Sequence, residues 1–201
     1  MNHEKQEPEK ENSGQDLARL VGRQARKAHL AVPWAAHAGL APGMRVLDIG
    51  AGSGALTLVY ARMVSPGGMV LAVDSNEAAL AYLARAAARE TLPIITLCQL
   101  AEMPIPVFDP SDRVLVTDTL HHAADPRGVL RSARAVMQAA SLMLIAEYDP
   151  EGAGLMGAPL ARRIPSATLR KWLAETGFIP GPALQAPDEH YVIMARPERL
   201  S

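Results

Sequence analysis

Gly50, Gly52 and Gly54 fall at every second position between a short apolar run and a helical pattern, and no other feature of the chain restricts its fold as much. Val46, Leu47 and Ile49 are residue types of a buried strand, and Ala55-Leu56-Thr57-Leu58-Val59-Tyr60-Ala61-Arg62 carries apolar side chains at helical spacing. A strand therefore enters a glycine turn and a helix leaves it. Glycine suits such a turn because it takes positive φ at little cost and lets a ligand lie against the backbone. The free N–H groups of the helix start favour an electron-rich group there. After a Ser65-Pro66-Gly67-Gly68 turn, a second strand, Met69-Val70-Leu71-Ala72-Val73, ends in Asp74, 20 residues beyond Gly54. A βαβ nucleotide site places at that point the carboxylate that accepts hydrogen bonds from ribose hydroxyls. The order and lengths predict a nucleoside-containing cofactor; a purely structural glycine turn is the competing reading.

The rest of the chain extends the same alternation. Asn76 or Ser75 can cap an alanine-rich helix from Glu77 to about Glu90, and Ile94-Ile95-Thr96-Leu97 reads as a third strand. The prolines of the segment from Pro104 to Pro110 keep it out of helix and central strand. A fourth strand, Arg113 to Thr117, precedes Asp118-Thr119-Leu120-His121-His122. A helix is expected over Arg127–Met137 and a fifth strand over Leu142–Ala146. The glycine-rich stretch Glu151–Pro159 reads as a mobile loop over the site, and Ser166 as the cap of a helix that Gly177 ends. Phe178-Ile179-Pro180 and Tyr191–Ala195 read as two closing strands. The pattern predicts an α/β, doubly wound, Rossmann-like sheet, parallel in its first part, with ligands at the carboxyl ends of its strands.

Ahead of this, residues 1 to about 15 hold no large apolar side chain after Met1 and are expected to form a disordered tail. Residues 16–201 then form a single domain that opens with a helical cap over about 16–40. In that cap Leu17, Leu20, Val21, Gln24, Ala28 and Ala31 mark one helical stripe. Arg19, Arg23, Arg26 and Lys27 read mostly as a solvated face.

Composition removes several classes of function. A net charge of −1 provides no global field toward nucleic acid. No apolar run approaches the roughly 20 residues needed to cross a bilayer, and the polar start Met1-Asn2-His3-Glu4-Lys5 is no secretory signal. The single cysteine, Cys98, excludes an internal disulfide and fits a reducing, cytoplasmic compartment. The six histidines show neither the spacing of a zinc protease nor a cysteine cluster, so no metal is expected.

Gly50-Ala51-Gly52-Ser53-Gly54-Ala55 also satisfies the dinucleotide pattern, which leaves an NAD(P)-binding oxidoreductase open on the glycines alone. The flanks point elsewhere. Val46-Leu47-Asp48-Ile49-Gly50-Ala51-Gly52-Ser53-Gly54 resembles motif I of the class I S-adenosylmethionine-dependent methyltransferases, with an acid two residues before the first glycine. Asp74 resembles that family's ribose-binding acid. Thr117-Asp118-Thr119-Leu120-His121-His122-Ala123-Ala124-Asp125-Pro126 is similar to the segment after the fourth strand in its small-molecule branch. Ala174-Glu175-Thr176-Gly177-Phe178 looks like its approach to the sixth strand.

The resemblance covers about residues 20 to 196. It implies a seven-stranded sheet with one antiparallel strand, helices on both faces, and S-adenosylmethionine as cofactor with S-adenosylhomocysteine as product. It also implies that Gly50, Gly52 and Gly54, with Ala51 between them, approach the methionine part, that Asp74 with Ser75 holds the ribose, and that Asp48 orders the loop. Gln99 and Leu100 would flank the adenine and Thr117 would lie near the methionine end; Gln99 stands where the family often has an acid. The residues Met137–Ser141 lack the family's usual glycine pair.

Such a cofactor carries an activated methyl group, so the protein need only align a nucleophile and exclude water. For a hydroxyl or thiol acceptor a base helps, and His121 and His122 are the catalytic candidates, with a purely structural pair as the alternative. Glu147 and Tyr148 end the fifth strand on the same rim, either capping the next loop or meeting the acceptor. Arg162 and Arg163 read as exposed arginines on a solvated turn. The expected partner is a small-molecule acceptor, with a homo-oligomer or a partner subunit also compatible; a non-catalytic cofactor-binding subunit is the reading from another class.

Overall fold

The computed structural model describes residues 9–106 and 110–199. Seven strands form one sheet: β1 (Arg45–Ile49), β2 (Met69–Asp74), β3 (Ile94–Cys98), β4 (Ser111–Thr117), β5 (Met137–Tyr148), β6 (Phe178–Ala186) and β7 (His190–Pro197). Their order is β3-β2-β1-β4-β5-β7-β6. Strands β1 to β5 pair in parallel, and β7 runs antiparallel to both β5 and β6. The chain therefore reverses its direction across the sheet between β3 and β4, which leaves the reversal between the adjacent strands β1 and β4. Ligands of open α/β sheets bind at that reversal.

Parity along each strand decides what covers each face. Leu47 and Ile49 of β1, Val114 and Val116 of β4, and Met143 and Ile145 of β5 face α5 (Pro126–Ala135) and α6 (Ser166–Glu175), where Val129, Leu130, Leu169 and Leu173 are buried. The alternate residues Val46, Leu115 and Leu144 face α2 (Ala31–Ala38) and α3 (Thr57–Val64), through Trp34, Ala35, Tyr60 and Val64. Helix α4 (Glu77–Glu90) adds Leu80 and Leu83 against Ala72. Burial on two faces explains the continuous apolar runs of these strands. Truncating a fully buried side chain such as Leu130 or Leu115 to alanine would cost about 2–5 kcal/mol.

Several boundaries differ from the sequence reading. Helix α1 spans Glu9–Ala25, so it begins well before Asp16. Glu and Lys favour helix, and extending an existing helix is far easier than starting one. Of the expected tail, residues 1–8 lie outside the described residues, as do 107–109 of the expected proline loop. The single stripe through Ala31 breaks: α1 stops at Ala25, a short 3₁₀ turn covers Ala28–Leu30, and α2 follows with Pro33 in its first turn.

Asn76, not Ser75, caps α4, its Oδ1 accepting from the Ala79 N–H at 3.0 Å. Ser166 is the first residue of α6 rather than its cap; Pro165 precedes it without a side-chain cap. Helix α5 ends at Ala135 instead of Met137, because Met137 already pairs with Ser111 across the sheet and lengthens β5. Tertiary pairing outweighs local helical spacing there.

Candidate functional site

Gly50, Gly52 and Gly54 all have positive φ, so the backbone after β1 folds back toward β2, where the Gly50 and Ala51 N–H groups donate to Val73 O at 2.8 and 3.1 Å. At Gly52, φ +55°, a Cβ would stand 2.0 Å from Gln24 Nε2 of α1, so any other residue would be strained and would displace that amide. Asp74 binds the loop from the end of β2. Its Oδ2 accepts the Gly52 N–H at 2.7 Å, and its Oδ1 accepts the Asn76 N–H at 2.8 Å. Asp48, 2% exposed, closes the other side by accepting the Thr57 hydroxyl at 2.6 Å, which ties β1 to the start of α3. Burial raises the Asp48 carboxyl to about 7, against the pull of the Thr57 hydrogen bond and with help from the charge of Asp74.

A cleft of about 580 Å³ opens above the carboxyl ends of β1, β2 and β4, a size typical of small-molecule sites. Asp48, Gly50, Ala51 and Gly52 line it from the loop, and Asp74 and Ser75 from β2. Leu100 and Glu102 close one end; Thr117, His121 and His122 stand at the other. Two expected residues do not line it. Gly54 packs against α4, where a Cβ would meet Leu83 Cδ1 at 2.2 Å, so its glycine serves helix packing. Gln99 turns its amide to the Met103 carbonyl at 3.2 Å.

The rim beyond β4 and β5 carries two buried polar pairs. His121 Nδ1 lies 2.6 Å from Glu147 Oε2, with side chains 2% and 0% exposed. Glu147 Oε1 also accepts the N–H groups of Thr119 and Leu120 at 3.1 and 2.7 Å. Glu147 thus neither caps the following loop nor faces solvent; it fixes the turn that carries both histidines. A carboxylate only accepts, so the His121 ring carries a proton on Nδ1, and in the neutral ring Nε2 is the acceptor. The His122 ring is 4.1 Å from that of His121, centroid to centroid, and stands at the exposed lip. Its pKa is lowered by partial burial, then by His121, Arg23 and Arg162, with Asp118 opposing.

The second pair joins three distant elements. Asp118, at φ 53°, bonds Lys27, two residues past the end of α1, through Oδ2 and His190 Nε2 of β7 through Oδ1 at 2.8 Å. Burial pushes its carboxyl up, but His190 and Lys27 together override this and hold it below the ordinary carboxylate value. The His190 ring lies against Tyr148, which Lys27 approaches from above.

A family model described as a methyltransferase domain matches residues 40–186. The chain belongs to the class I S-adenosylmethionine-dependent methyltransferases. Over 108 residues it is 35% identical to the ubiquinone biosynthesis O-methyltransferase of Caulobacter sp., a match covering 53% of this chain and 42% of that one. It spans less than half the length of the curated relatives it matches. Among solved structures it resembles a SAM-dependent methyltransferase from Aquifex aeolicus, with a TM-score of 0.76 and 22% identity over 82% of this chain and 88% of that one. It also resembles the magnesium protoporphyrin IX methyltransferase of Synechocystis PCC 6803 with bound SAH, with a TM-score of 0.67 and 19% identity over 89% of this chain and 84% of that one. Membership in this family displaces the dinucleotide reading of the glycines.

The methyltransferase's cleft suits this cofactor. Each Asp74 oxygen accepts one protein N–H and keeps lone-pair capacity for a ribose hydroxyl, while the Gly52 loop leaves backbone open beside it. Among the described residues no group of three or more His, Cys, Asp and Glu is placed to hold a metal ion, and no helix is long and apolar enough to cross a membrane.

What the sequence reading missed comes from α1. Leu20, Arg23 and Gln24 of α1, with Lys27 just past its end, line the cleft. Gln24 Oε1 accepts both the N–H and the hydroxyl of Ser53, at 2.7 and 2.6 Å, so the helix sits directly on the glycine loop. A glutamine within an apolar stripe was the available signal. Lys27 is not a solvated residue, since its side chain is only 15% exposed.

Arg163 also reverses its expectation. It is buried over the Tyr148 ring, with Nε donating to Ala158 O at 2.9 Å and Nη1 to Asp149 O and Glu189 Oε2 at 2.7 Å each. The glycine-rich stretch does cover the site, with Gly157, Ala158 and Pro159 lining the cleft, but Arg163 ties it down.

Proposed function

We propose that this methyltransferase moves its methyl group to a hydroxyl oxygen of a small molecule, with His121 as general base and Glu147 as the residue that positions it. The observation that carries this is the His121–Glu147 pair, buried at the end of β4 on the wall of the cleft whose far side holds Asp74. Bound S-adenosylmethionine supplies a methyl carbon activated by its sulfonium. Asp74 and Ser75 would hold the ribose, Gly50 to Gly52 would lie along the methionine part, Leu100 would meet the adenine and Thr117 would serve the methionine end, while Asp48 braces the loop.

His121 Nε2 takes the proton from the acceptor hydroxyl as that oxygen acts as nucleophile; the cofactor would supply the methyl group, and its sulfur would keep the electron pair of the bond given up. The imidazolium that results is stabilised by Glu147 and later returns the proton to solvent. Gly157–Pro159 and α1 exclude water from the reacting atoms. The similarity to ubiquinone-biosynthesis O-methyltransferases favours a phenolic oxygen.

Transfer of a labelled methyl group to a panel of phenols, thiols and amines tests the assignment. Incorporation into phenols that collapses in His121→Ala while S-adenosylhomocysteine still binds is the expected result. Incorporation only into amines, unaffected by that substitution, would overturn it.

A further inference from the structure

We propose that Tyr148 reads the acceptor: its hydroxyl donates a hydrogen bond to a second oxygen on the phenolic ring whose first oxygen is methylated. This rests on the methyl-transfer reading of the same cleft and narrows its acceptor to phenols that carry another hydrogen-bond-accepting oxygen. The observation behind it is an unanswered donor. Tyr148 is 1% exposed and lines the cleft, yet its hydroxyl has no hydrogen-bond partner among the described residues.

The ring is held too firmly to turn and find one. His190 lies against it at 4.1 Å and His121 meets it edge-on at 6.1 Å, centroid to centroid, while the Lys27 ammonium and the Arg163 guanidinium stand 4.9 and 5.2 Å from its centre. Gly157 of the covering loop closes the hydroxyl end; it has φ 67°, and a Cβ there would overlap Tyr148 Cζ. Gly157 itself lines the cleft, so the unpartnered end of the ring sits where the loop meets the cleft wall.

A neighbouring tyrosine shows that the fold can satisfy such a group. Tyr191, on the adjacent strand β7, donates to Ile164 O at 2.7 Å. Trp34 Nε1 and the Tyr60 hydroxyl also lack partners, but both residues belong to the core under α2 and α3, and neither lines the cleft. A buried hydroxyl without a partner is costlier than phenylalanine at the same site, so its presence on the cleft wall points to a partner that arrives with the ligand. Burial, with the charge of Asp118, pushes the ionisation of this phenol well above its ordinary range against the pull of Arg163, so the group stays a donor and does not act as a base. His121 contacts the same ring and lines the same cleft. Its Nε2 takes the proton of one acceptor oxygen while Tyr148 holds the other.

Calorimetry on the full chain saturated with S-adenosylhomocysteine, with ortho- and meta-methoxyphenol against ortho- and meta-ethylphenol, tests this. Each pair shares its ring, hydroxyl and substituent size and differs in one oxygen. One methoxyphenol should bind about tenfold more tightly than its ethyl counterpart, and Tyr148→Phe should abolish that preference while keeping its affinity for S-adenosylhomocysteine. Without ligand, Tyr148→Phe should melt about 2–4 °C above the parent, because the orphaned hydroxyl is gone. Equal binding within both pairs, binding of no phenol, a preference that survives in Tyr148→Phe, or a variant that melts lower overturns the proposal. The same phenols with labelled cofactor report the methyl-transfer reading separately. A Tyr148-dependent preference without transfer strikes that reading, whereas transfer without the preference strikes only this one.

Discussion

Replacing Glu147 by glutamine tests the proposed chemistry most directly, because it changes charge and proton placement with almost no change in shape. Oε1 remains to accept the Thr119 and Leu120 N–H groups, now as a neutral acceptor. Each bond thereby loses roughly 0.5–1.5 kcal/mol, the difference between charge-assisted and neutral hydrogen bonds, or about 1–3 kcal/mol of stability in all. A domain stable by about 5–15 kcal/mol survives this, whereas Glu147→Ala would leave two buried N–H groups and the His121 ring without an acceptor.

The second oxygen becomes an NH₂ facing His121 Nδ1 at a site where the pair was 2.6 Å apart. His121 must then accept at Nδ1 and carry its proton on Nε2, the nitrogen that should take the proton from the acceptor. Loss of a positioned base costs about 10²–10⁴ in rate, equal to roughly 3–5 kcal/mol on the barrier. Single-turnover methyl transfer to a phenolic acceptor should therefore slow by at least about 10², with S-adenosylhomocysteine affinity unchanged. Nitrogen NMR of the labelled histidines should show the proton of His121 moving from Nδ1 to Nε2 without any acceptor present. A rate within about threefold of the parent, in a protein whose tautomer has switched, refutes the assignment of His121 as base.

Three further outcomes are expected. Asp74→Ala should weaken S-adenosylhomocysteine binding by about ten- to a hundredfold in calorimetry, the worth of one charge-assisted hydrogen bond; unchanged affinity would remove Asp74 from the site. Burial raises the Asp48 carboxyl from its ordinary 3.8 to about 7, so the folded protein keeps a proton that the unfolded chain has lost, and stability falls as pH rises between those values. The fall is about 1.4 kcal/mol per pH unit and roughly 4 kcal/mol in total. Asp48→Asn, neutral throughout, should gain melting temperature over the parent progressively from pH 4 to 7 and hold the gain above; parallel curves would contradict the burial argument. Tyr60→Phe removes a buried hydroxyl that has no hydrogen-bond partner, so it should raise the melting temperature by about 2–4 °C per kcal/mol recovered, and a fall would show that the hydroxyl is satisfied.

The chain of strand, glycine turn, helix, strand and acid could be read from sequence because each link is short-range. Apolar runs mark β1 and β2, the glycines mark positive φ, and Asp74 ends β2 against Gly52. The family resemblance added Thr117 and the histidine pair, which the fold brings to the same cleft as Asp74. Local rules failed where a partner lay across the sheet. Met137 has helical spacing with α5 but pairs with Ser111, and Arg163 has the composition of a surface turn but is buried over Tyr148. Gln99 was placed beside the adenine by its position after β3, yet the loop that follows draws its amide to Met103 O.

The sequence by itself determined the sheet, the glycine turn, the acid that ends β2 beside it, and the family. Periodicity and glycine spacing are properties of neighbouring residues, so they survive without knowledge of the fold. Only the tertiary structure decided which charges are neutralised and which are left open. Strand β4 comes to lie between β1 and β5, and β7 returns beside β5, so Glu147 lies beneath His121 and His190 beside Asp118. Helix α1 then lies over the glycine loop, which buries Lys27 against Asp118 and leaves Arg23 at the lip. The energy of a charge depends on its burial and its partner, and both are set by residues distant in sequence.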